Sequence, residues 1–361
     1  MRYKKLGRTG LLVSEICFGT MTIGGDAGIW GLIGKLEHKE SDALIKAAFD
    51  GGVNFFDTAD VYGFGASEEI FGASLKSLGL PRDEIVVATK VHGRLLPRLG
   101  PNASAVEHAE AERRAGARNV NGLSRKHIMQ AIDDSLRRTG LDYIDLYQIH
   151  GLDPLTPLEE TLSALDDVVK AGKVRYIGLC NLHAWQITKS LWISDKNNLS
   201  RFESLQMYYS IAGRDLEREV VPLAQDQNLA ILPWSPLAGG FLTGKHTRDG
   251  GPNDARRTVF DFPPVDRERA FACIDAMRPI AQAHDASIAG VALAWLLHKP
   301  WVTSVIIGAK NPDQLKDNLV APKIKLAAEE MAALDAVSAL AEEYPGWMTA
   351  RQGDDRASQI S

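Results

Sequence analysis

The chain has 361 residues, of which 45% are hydrophobic and 24% are charged, a composition typical of a protein with a large buried core. Its formal net charge of -5 disfavours a nucleic-acid partner, because phosphate backbones are bound by a local excess of Lys and Arg. The start of the chain lacks a signal-peptide pattern, and no uncharged apolar run approaches the roughly 20 residues that cross a bilayer. The sequence therefore predicts a cytoplasmic protein without a membrane segment.

The cysteines argue against disulfide and metal chemistry. Cys17, Cys180 and Cys273 are widely separated and odd in number. They offer neither a disulfide framework nor a Cys-x-x-Cys metal site, which favours a reducing compartment and predicts no metal.

A short hairpin opens the chain, and a repeating pattern follows it. We predict hairpin strands at 3–6 and 11–14, around the turn residues Gly7-Arg8-Thr9-Gly10. Short apolar runs then alternate with longer amphipathic segments, a pattern typical of strand–helix units and a parallel sheet. The predicted strands are 15–19, 54–58, 85–90, 144–150, 175–179, 205–208, 229–234 and 303–308. The predicted helices are 39–50, 67–78, 124–139, 157–171, 183–190, 217–227, 289–298 and 312–319.

Boundary residues support several of these helices. Thr156-Pro157 places a proline at the first position of one helix, and Gly172 follows its end. Strand–helix units with right-handed crossovers close into an α/β protein of the (β/α)8 TIM-barrel type, expected over about 14–320. An open doubly wound sheet is the alternative. One domain over 1–361 is expected, since α/β barrels of about 250 residues or more fold as one unit.

Three segments lie outside the repeat: 92–122, 239–264 followed by an extra helix at 267–284, and a C-terminal tail of about 327–361. Active sites of barrel enzymes are built from loops at the carboxyl ends of the strands, so the first two are expected on the functional face. For the stretch 106–118, rich in Ala, Glu and Arg, a solvated surface helix is an equally weighted alternative.

Polar residues follow three consecutive predicted strands. Asp57 and Tyr62 come at the second strand, Lys90 at the third and His150 at the fourth. A barrel would bring them together, and the charges of Asp57 and Lys90 would then neutralise each other. The adjacent cation is expected to lower the pKa of the phenol. Tyr62 would donate a proton to a carbonyl oxygen that His150 orients. Taken singly, each residue also has a purely structural interpretation, as a cap, a loop anchor, a strand end or a core imidazole.

The motifs around these residues resemble the aldo-keto reductase superfamily. They are NFFDTADVY at 54–62, ATK at 88–90 and DLYQIH at 145–150, and the similarity extends over 1–319. The resemblance implies an α/β barrel whose catalytic tetrad is Asp57, Tyr62, Lys90 and His150. It also implies hydride transfer between NADP(H) and a carbonyl or alcohol, with Tyr62 as general acid and base.

The resemblance further implies a nicotinamide cofactor bound without a Gly-x-Gly-x-x-Gly motif, which the chain lacks after its strands. A Ser-Asn pair holds the carboxamide in the family, and Cys180 and Asn181 stand at these positions. A thiol is a weaker donor than a hydroxyl, so we expect Asn181 and Gln206 to carry this recognition, with simple packing as the alternative role of Cys180. Trp234 matches the aromatic residue that stacks on the nicotinamide.

The loop that follows Trp234 looks like the pyrophosphate site. Lys245 and Arg256 are expected to close over it, and Lys310 offers the charge that suits a 2′-phosphate, which favours NADPH over NADH. Some members of the family have an Arg where this chain has Gln314. The other predicted cofactor contacts are Gly19, Thr20, Asp57, Ser235, Pro236, Leu237, Gly239, Gly308, Ala309 and Asn318.

The stretch 239–245 comes close to a Walker A motif but lacks its final Ser or Thr, since His246 follows Lys245. The Gly and Pro residues up to Pro252 disfavour the helix that a P-loop needs. We therefore reject a P-loop at this place.

The family's substrate pocket draws on loops that here contain mostly apolar residues. These are Met21, Trp30, Val61, Gly151 and Leu152, with Tyr344 and Trp347 of the tail as further candidates. Gly151 stands where many members have a bulky aromatic residue, so we predict a roomy pocket for an aldehyde or a bulky secondary ketone.

Two other functions stay open. Potassium-channel β-subunits share the barrel and bind NADPH, so a regulatory subunit with little turnover is one alternative. A barrel lyase or isomerase is the other, for which no metal-binding motif is present. Some bacterial relatives act in detoxification, and the oligomeric state stays undetermined by the sequence.

Overall fold

The structure is a computed structural model that describes residues 1–25, 28–100, 102–248, 250–251, 257 and 260–357. Its central sheet has eight parallel strands in the order β10-β3-β4-β5-β6-β7-β8-β9. The strands are β3 Ile16–Gly19, β4 Phe55–Asp57, β5 Val86–Val91, β6 Ile144–Ile149, β7 Val174–Cys180, β8 Phe202–Tyr208, β9 Ala230–Trp234 and β10 Val305–Ile307. A bridge between Ile231 and Val302 joins the two ends of the sheet. The predicted (β/α)8 barrel is confirmed, and the open doubly wound sheet is wrong.

The N-terminal hairpin packs against the inside of the barrel. Its strands are β1 Tyr3–Lys5 and β2 Leu12–Ser14, which pair antiparallel. Leu6 and Val13 are fully buried in one cluster with residues of the barrel interior such as Cys17. The hairpin therefore closes one end of the barrel with apolar side chains.

Helices cover the outside of the sheet. Those that follow the barrel strands are α2 His38–Asp50, α3 Ala66–Leu78, α5 Arg125–Thr139, α6 Leu158–Lys170, α7 Ala184–Asn197, α8 Val220–Gln227, α10 Ile288–Leu297 and α11 Pro312–Asn318. The additional helices are α1 Gly28–Ile33, α4 Ala105–Ala115, α9 Arg267–Ala283, α12 Ala328–Val337 and α13 Gly346–Ala357. The extra helix predicted near 267–284 and the C-terminal tail are thus confirmed, whereas α1 was not predicted.

Some helix boundaries differ from the prediction. Pro157 caps α6 with an extended ψ of 138° and does not form its first turn. Helix α7 continues to Asn197, well past the predicted end at Ser190, because Leu191, Ile193 and Ser194 extend its buried face beyond that residue. Asn198 then ends the helix in a left-handed conformation.

Within the described ranges, no single helix is long and apolar enough to cross a membrane. The pair Arg267–Ala283 and Ile288–Leu297 meets this test only when its two helices are taken together, and they are bent by 96°. Helix α9 packs against α12, and the ammonium of Lys299 donates to Asp335 of α12 at 2.6 Å. The first helix of the tail is therefore fixed to the outside of the barrel.

Candidate active site

A buried ion pair stands at the carboxyl ends of two neighbouring strands. Asp57 ends β4 and Lys90 lies in β5, and their side chains are 3% and 0% exposed. The ammonium of Lys90 donates to Asp57 Oδ1, to Thr58 O at 2.8 Å and to the phenol oxygen of Tyr62 at 3.1 Å. The structure thus brings together three of the four predicted catalytic residues by direct hydrogen bonds.

The second oxygen of Asp57 is held by two amide side chains. Gln148 Nε2 donates to Asp57 Oδ2 at 3.0 Å, and Gln206 Nε2 donates to the same oxygen at 2.9 Å. Gln148 was missed by the sequence analysis, although it lies within the DLYQIH motif. An amide side chain within a mostly apolar predicted strand was the available signal. The charged group of Asp57 therefore has partners on both oxygens, which fixes its orientation.

The electrostatics of the phenol differ from the prediction. Burial raises the pKa of Tyr62, the charge of Lys90 lowers it and that of Asp57 raises it, and the net pKa lies above its ordinary value. The expected net lowering by the cation is wrong, since burial outweighs it. Burial also acts on Lys90, where it lowers the pKa, but Asp57 and Tyr62 hold the net pKa above its ordinary value. Lys90 thus stays charged, and the phenol stays protonated.

His150 follows β6 and faces the phenol. Its ring lies 5.8 Å from that of Tyr62, centroid to centroid, at an angle of 73°. Burial and the charge of Lys90 hold the pKa of His150 well below its ordinary value. The imidazole is therefore neutral, with one nitrogen that donates and one that accepts. This ring stacks edge-on beside the phenol, where it can orient an oxygen that Tyr62 protonates.

Two predicted substrate-pocket residues lie beside this cluster. The ring of Trp30, in α1, is 5.4 Å from that of Tyr62. A Cβ placed on Gly151 would have no heavy atom within 4 Å, so there is space next to His150. Three further members of the predicted pocket are half-buried: Met21, Val61 and Leu152.

The two tail aromatics are more exposed. Tyr344 and Trp347 are 74% and 42% exposed, and their rings lie 6.2 Å apart. The tail segment before them is held by an ion pair between Arg218 and Glu343 at 3.0 Å. Among the contacts of the described residues, none places Tyr344 or Trp347 against Trp30. Their role in the pocket stays a prediction.

The predicted carboxamide-binding residues lie near the carboxyl ends of β7 and β8: Cys180 ends β7, Asn181 follows it and Gln206 lies within β8. Asn181 has a left-handed φ of 58°; its Oδ1 accepts from Trp234 Nε1 at 2.9 Å, and its Nδ2 donates to His150 O at 3.2 Å. Cys180 is 1% exposed, and burial raises the pKa of its thiol despite the nearby charge of Lys90. The thiol is thus neutral, and Asn181 links the His150 strand end to Trp234.

The loop after β9 presents backbone in left-handed conformations. Ser235, Ala238, Gly239 and Gly240 have φ values of 51°, 49°, 67° and 95°. The N–H groups of Ala238 and Gly240 donate within the loop, to Ser235 O at 2.8 Å and Leu237 O at 2.9 Å, and Gly239 N donates to Ser235 Oγ at 2.9 Å. A Cβ on Gly240 would meet nothing within 4 Å. The loop also contains Pro236, which is buried, and Leu237, which is half-buried.

Arg257 and Phe262 contact this loop and the strand end before it. Phe262 stacks on Trp234 with ring centroids 5.8 Å apart. The guanidinium of Arg257 donates to Ala238 O at 2.8 Å and to Pro263 O at 2.9 Å, and pairs with Asp261. The sequence analysis chose Arg256, which lies outside the described residues, and missed Arg257. Two adjacent arginines give no sequence signal that separates them.

Lys245 is exposed and is followed by a bridge between Thr247 and Gly250. This turn excludes the helix that a P-loop needs at this point. The rejection of a P-loop is therefore confirmed for the described part of the loop.

Residues at the end of β10 complete the predicted cofactor side. Gln314 Oε1 accepts from Lys310 N at 2.9 Å, and Asn318 Nδ2 donates to Gly308 O at 3.2 Å. The side chains of Lys310 and Gln314 are exposed. A Cβ placed on Gly308 would meet only Thr22 Cγ2, at 3.9 Å. Ala309 O accepts a hydrogen bond from the Thr22 hydroxyl at 3.0 Å. Open space beside Gly308 and Gly240, with exposed polar groups around them, fits an extended dinucleotide.

Two predicted cofactor residues lie deeper. A Cβ on Gly19 would come 2.9 Å from Ile306 Cγ2, so a side chain does not fit there. Thr20 is fully buried, and its hydroxyl bonds to that of Ser67 at 2.8 Å. Their side chains pack within the protein, and their cofactor contacts stay predictions.

The fold and the Asp57–Lys90–Tyr62 cluster are those of a barrel oxidoreductase. The aldo/keto reductase family model matches residues 15–339, and the chain belongs to this family. Members generally use a nicotinamide cofactor, usually NADPH. The expected resemblance is confirmed.

Three relatives have similar lengths. The chain is 34% identical over 355 residues to versiconal hemiacetal acetate reductase of Aspergillus parasiticus, covering 96% of this chain and 99% of that protein. It is 34% identical over 342 residues to an uncharacterized oxidoreductase of Bacillus subtilis, covering 93% and 96%. It is also 34% identical over 351 residues to a "Probable voltage-gated potassium channel subunit beta" of Oryza sativa, covering 96% and 98%. The family and the oxidoreductases among these relatives support a carbonyl oxidoreductase activity.

Proposed function

We propose that the protein is an NADPH-dependent reductase of aldehydes or bulky secondary ketones, with Tyr62 as the proton donor. The observation that carries this proposal is the 3.1 Å hydrogen bond from the buried ammonium of Lys90 to the phenol oxygen. NADPH, held at its nicotinamide end by Asn181 and Trp234, would supply the hydride that reduces the carbonyl carbon. As the oxygen gains charge, Tyr62 donates its proton, and Lys90 stabilises the phenolate that remains.

The remaining residues orient the reactants. The neutral imidazole of His150 donates a hydrogen bond to the carbonyl oxygen and so presents that oxygen to Tyr62. Asp57 holds the ammonium of Lys90 in place and is itself held by Gln148 and Gln206. These contacts explain why a phenol with a raised pKa can act as the proton donor, because the phenolate that it leaves forms beside a fixed cation.

The cofactor side is supported by the chemistry of the residues present. Asn181 and Trp234 would hold the nicotinamide end, and the loop from Ser235, which has open space beside Gly240, would lie against the pyrophosphate. Lys310 offers a cation for a 2′-phosphate, which favours NADPH over NADH. A cytoplasmic location and a role in carbonyl detoxification belong to the same proposal, and the three buried, unpaired cysteines are consistent with a reducing compartment.

The test has two stages. Tryptophan fluorescence is titrated with NADPH and with NADH, and quenching of Trp234 at lower NADPH concentrations is expected. Turnover of a panel of carbonyl compounds is then compared between the parent and Tyr62→Phe. Loss of the phenol proton should lower kcat by roughly 10²-fold or more while cofactor binding persists. Absence of quenching by either nucleotide, or full activity of Tyr62→Phe, would contradict the proposal.

A regulatory subunit is the second candidate function. It is favoured by the similarity to the rice protein named as a potassium channel subunit beta, which covers 96% of this chain. Such a subunit would retain its nucleotide through gel filtration and turn over far less than once per second on every carbonyl tested, below the usual enzyme range of about 1–10³ per second. Steady-state turnover at ordinary enzyme rates would exclude it as the main role.

A further inference from the structure

The turn that follows Tyr62 has a backbone conformation that needs support from outside. Gly63, Phe64 and Gly65 have φ values of 55°, 52° and 94°, all in the left-handed region. A phenylalanine adopts this conformation only where the surrounding structure holds it. Because Tyr62 begins the turn, the contacts that hold the turn also set the position of the phenol.

A buried ion pair lies directly behind this turn. Glu68, in the first turn of α3, accepts from Arg138 Nε of α5 at 2.6 Å, and the two side chains are 0% and 9% exposed. A Cβ on Gly65 would lie 2.9 Å from Arg138 Cδ, so the arginine stem packs against the backbone of the turn. Arg138 thus supports the turn from below while Glu68 holds its guanidinium.

The other oxygen of Glu68 reaches the strand that carries Lys90. Thr89 Oγ1 donates to Glu68 Oε1 at 2.6 Å, and Thr89 directly precedes Lys90 in β5. One carboxylate therefore connects β5 with the arginine beneath the turn. The 3.1 Å separation between Lys90 Nζ and the phenol oxygen depends on how β5 and the turn are placed relative to each other.

We propose that Glu68 and Arg138 are positioning residues, which fix the turn after Tyr62 to β5 and thereby set the separation between the phenol and the ammonium of Lys90. Neither residue reaches the phenol or the ammonium; the pair acts through Gly65 and Thr89. The inference rests on the proposed function, because that function makes Tyr62 the proton donor. Stability alone does not require the pair, since buried ion pairs are often replaced by apolar groups at little cost.

The central test is the double variant Glu68→Gln/Arg138→Met, which removes both charges and leaves the net charge unchanged. Its matched control is Glu69→Gln/Arg98→Met, which removes the partly exposed ion pair formed by the next residue of α3. Tyr62→Phe is also introduced into the parent and into both double variants. The ultraviolet absorbance of each protein is followed against pH, and the difference between the forms with and without Tyr62 gives the titration of this phenol alone. This measurement does not depend on enzyme activity. The charged or titratable groups that face Tyr62 are unchanged throughout: Lys90, Asp57, Cys180 and His150.

The expected result is a shift of the Tyr62 titration by roughly half a pH unit or more, in either direction, in the buried-pair variant and no shift in the control. Under the proposed function, kcat should fall about tenfold with less than a twofold change in the KM of the carbonyl, because the pair acts on the donor and not on the binding of substrate. An unchanged titration, with parental kcat per folded molecule, would overturn the proposal.

Two safeguards keep the outcome decisive. If the double variant does not fold, Thr89→Val removes only the hydroxyl that donates to Glu68, and it is compared directly with the parent: a shift of the Tyr62 titration supports the proposal, and no shift refutes it. If the parent protein has no reductase activity, the proposed function fails, and the phenol titration still decides whether the pair positions Tyr62.

Discussion

The floor of the barrel mouth and its rim are built in different ways. The floor consists of Asp57, Tyr62, Lys90, Gln148 and Gln206, which are buried and joined by hydrogen bonds that come from four different strands and one turn. The rim consists of the described residues within 92–122 and 235–263 and of the tail after α12 up to residue 357. Its helix α4 has no buried residue. The barrel therefore fixes the reacting groups, and the rim is free to vary in what it admits.

Charge behaves differently in the two regions. Arg113 and Glu110 pair on the exposed surface of α4 at 2.7 Å, where water and salt screen their attraction, so the pair contributes little to stability. The pair of Asp57 and Lys90 has lost its water, so removal of either partner leaves a buried charge without compensation. The loss of one charge should consequently reduce stability much more in the floor than in the rim.

The largest effect that tests this contrast is expected from Lys90→Met. It leaves the carboxylate of Asp57 without its cation, so the free energy of unfolding should fall by about 3–5 kcal/mol, as measured by denaturant titration. Reductase activity should be lost as well, since the phenolate of Tyr62 loses its stabilising charge.

Lys245→Met is the matched change in the rim. Lys245 is exposed, so its stability should stay within about 0.5 kcal/mol of the parent, while the affinity for NADPH falls. Equal destabilisation by the two variants would show that the floor and rim do not differ as described.

An intermediate effect is expected where floor and rim meet, at Gly151. The side chain introduced by Gly151→Trp should fill the space beside this residue. We expect kcat/KM for bulky ketones to fall by about 10- to 200-fold and kcat/KM for small aldehydes to fall much less. Steady-state kinetics with one ketone and one aldehyde check this. Gly116→Trp, at the end of the exposed helix α4, is the control and should leave both values unchanged. Equal losses on both substrates would mean that Gly151 does not border the pocket.

The sequence predicts the floor better than the rim. All eight barrel strands were located to within a few residues, because their apolar runs depend on local pattern. Asp57, Tyr62 and Lys90 converge because parallel strands end at one edge. Gln206 is 149 positions from Asp57, and only the closed barrel reveals that it donates to that carboxylate.

The errors have physical causes of the same kind. The net direction of the pKa of Tyr62 depends on the depth of burial, which a list of neighbouring charges does not contain. Arg257 was missed because its bonds to Ala238 O and Pro263 O arise from tertiary packing, while Arg256 lies outside the described residues and stays a prediction. Sequence identifies the reactive groups here; their partners and their solvation come from tertiary packing.

The smallest expected effect concerns a carboxyl group behind the floor. Asp60 is 1% exposed, and burial together with the charge of Glu68 raises its pKa well above the ordinary value. A raised pKa in the folded state means that the unfolded chain loses its proton first as pH increases. The group therefore costs stability as pH rises from about 4, the unfolded value, through its folded pKa. Asp60→Asn should remove this cost.

The melting temperature of Asp60→Asn should thus exceed that of the parent by a few degrees at pH 8, with the gain disappearing toward pH 4. Asp134→Asn is the control, because Asp134 lies on the accessible side of α5 with its side chain 29% exposed and pairs with Arg137 at 2.7 Å. Its difference from the parent should be small at every pH. A loss of stability in Asp60→Asn that is equal at pH 4 and pH 8 would show that Asp60 is ionised and bound in the fold, and that charge behind the floor is tolerated as it is in the rim.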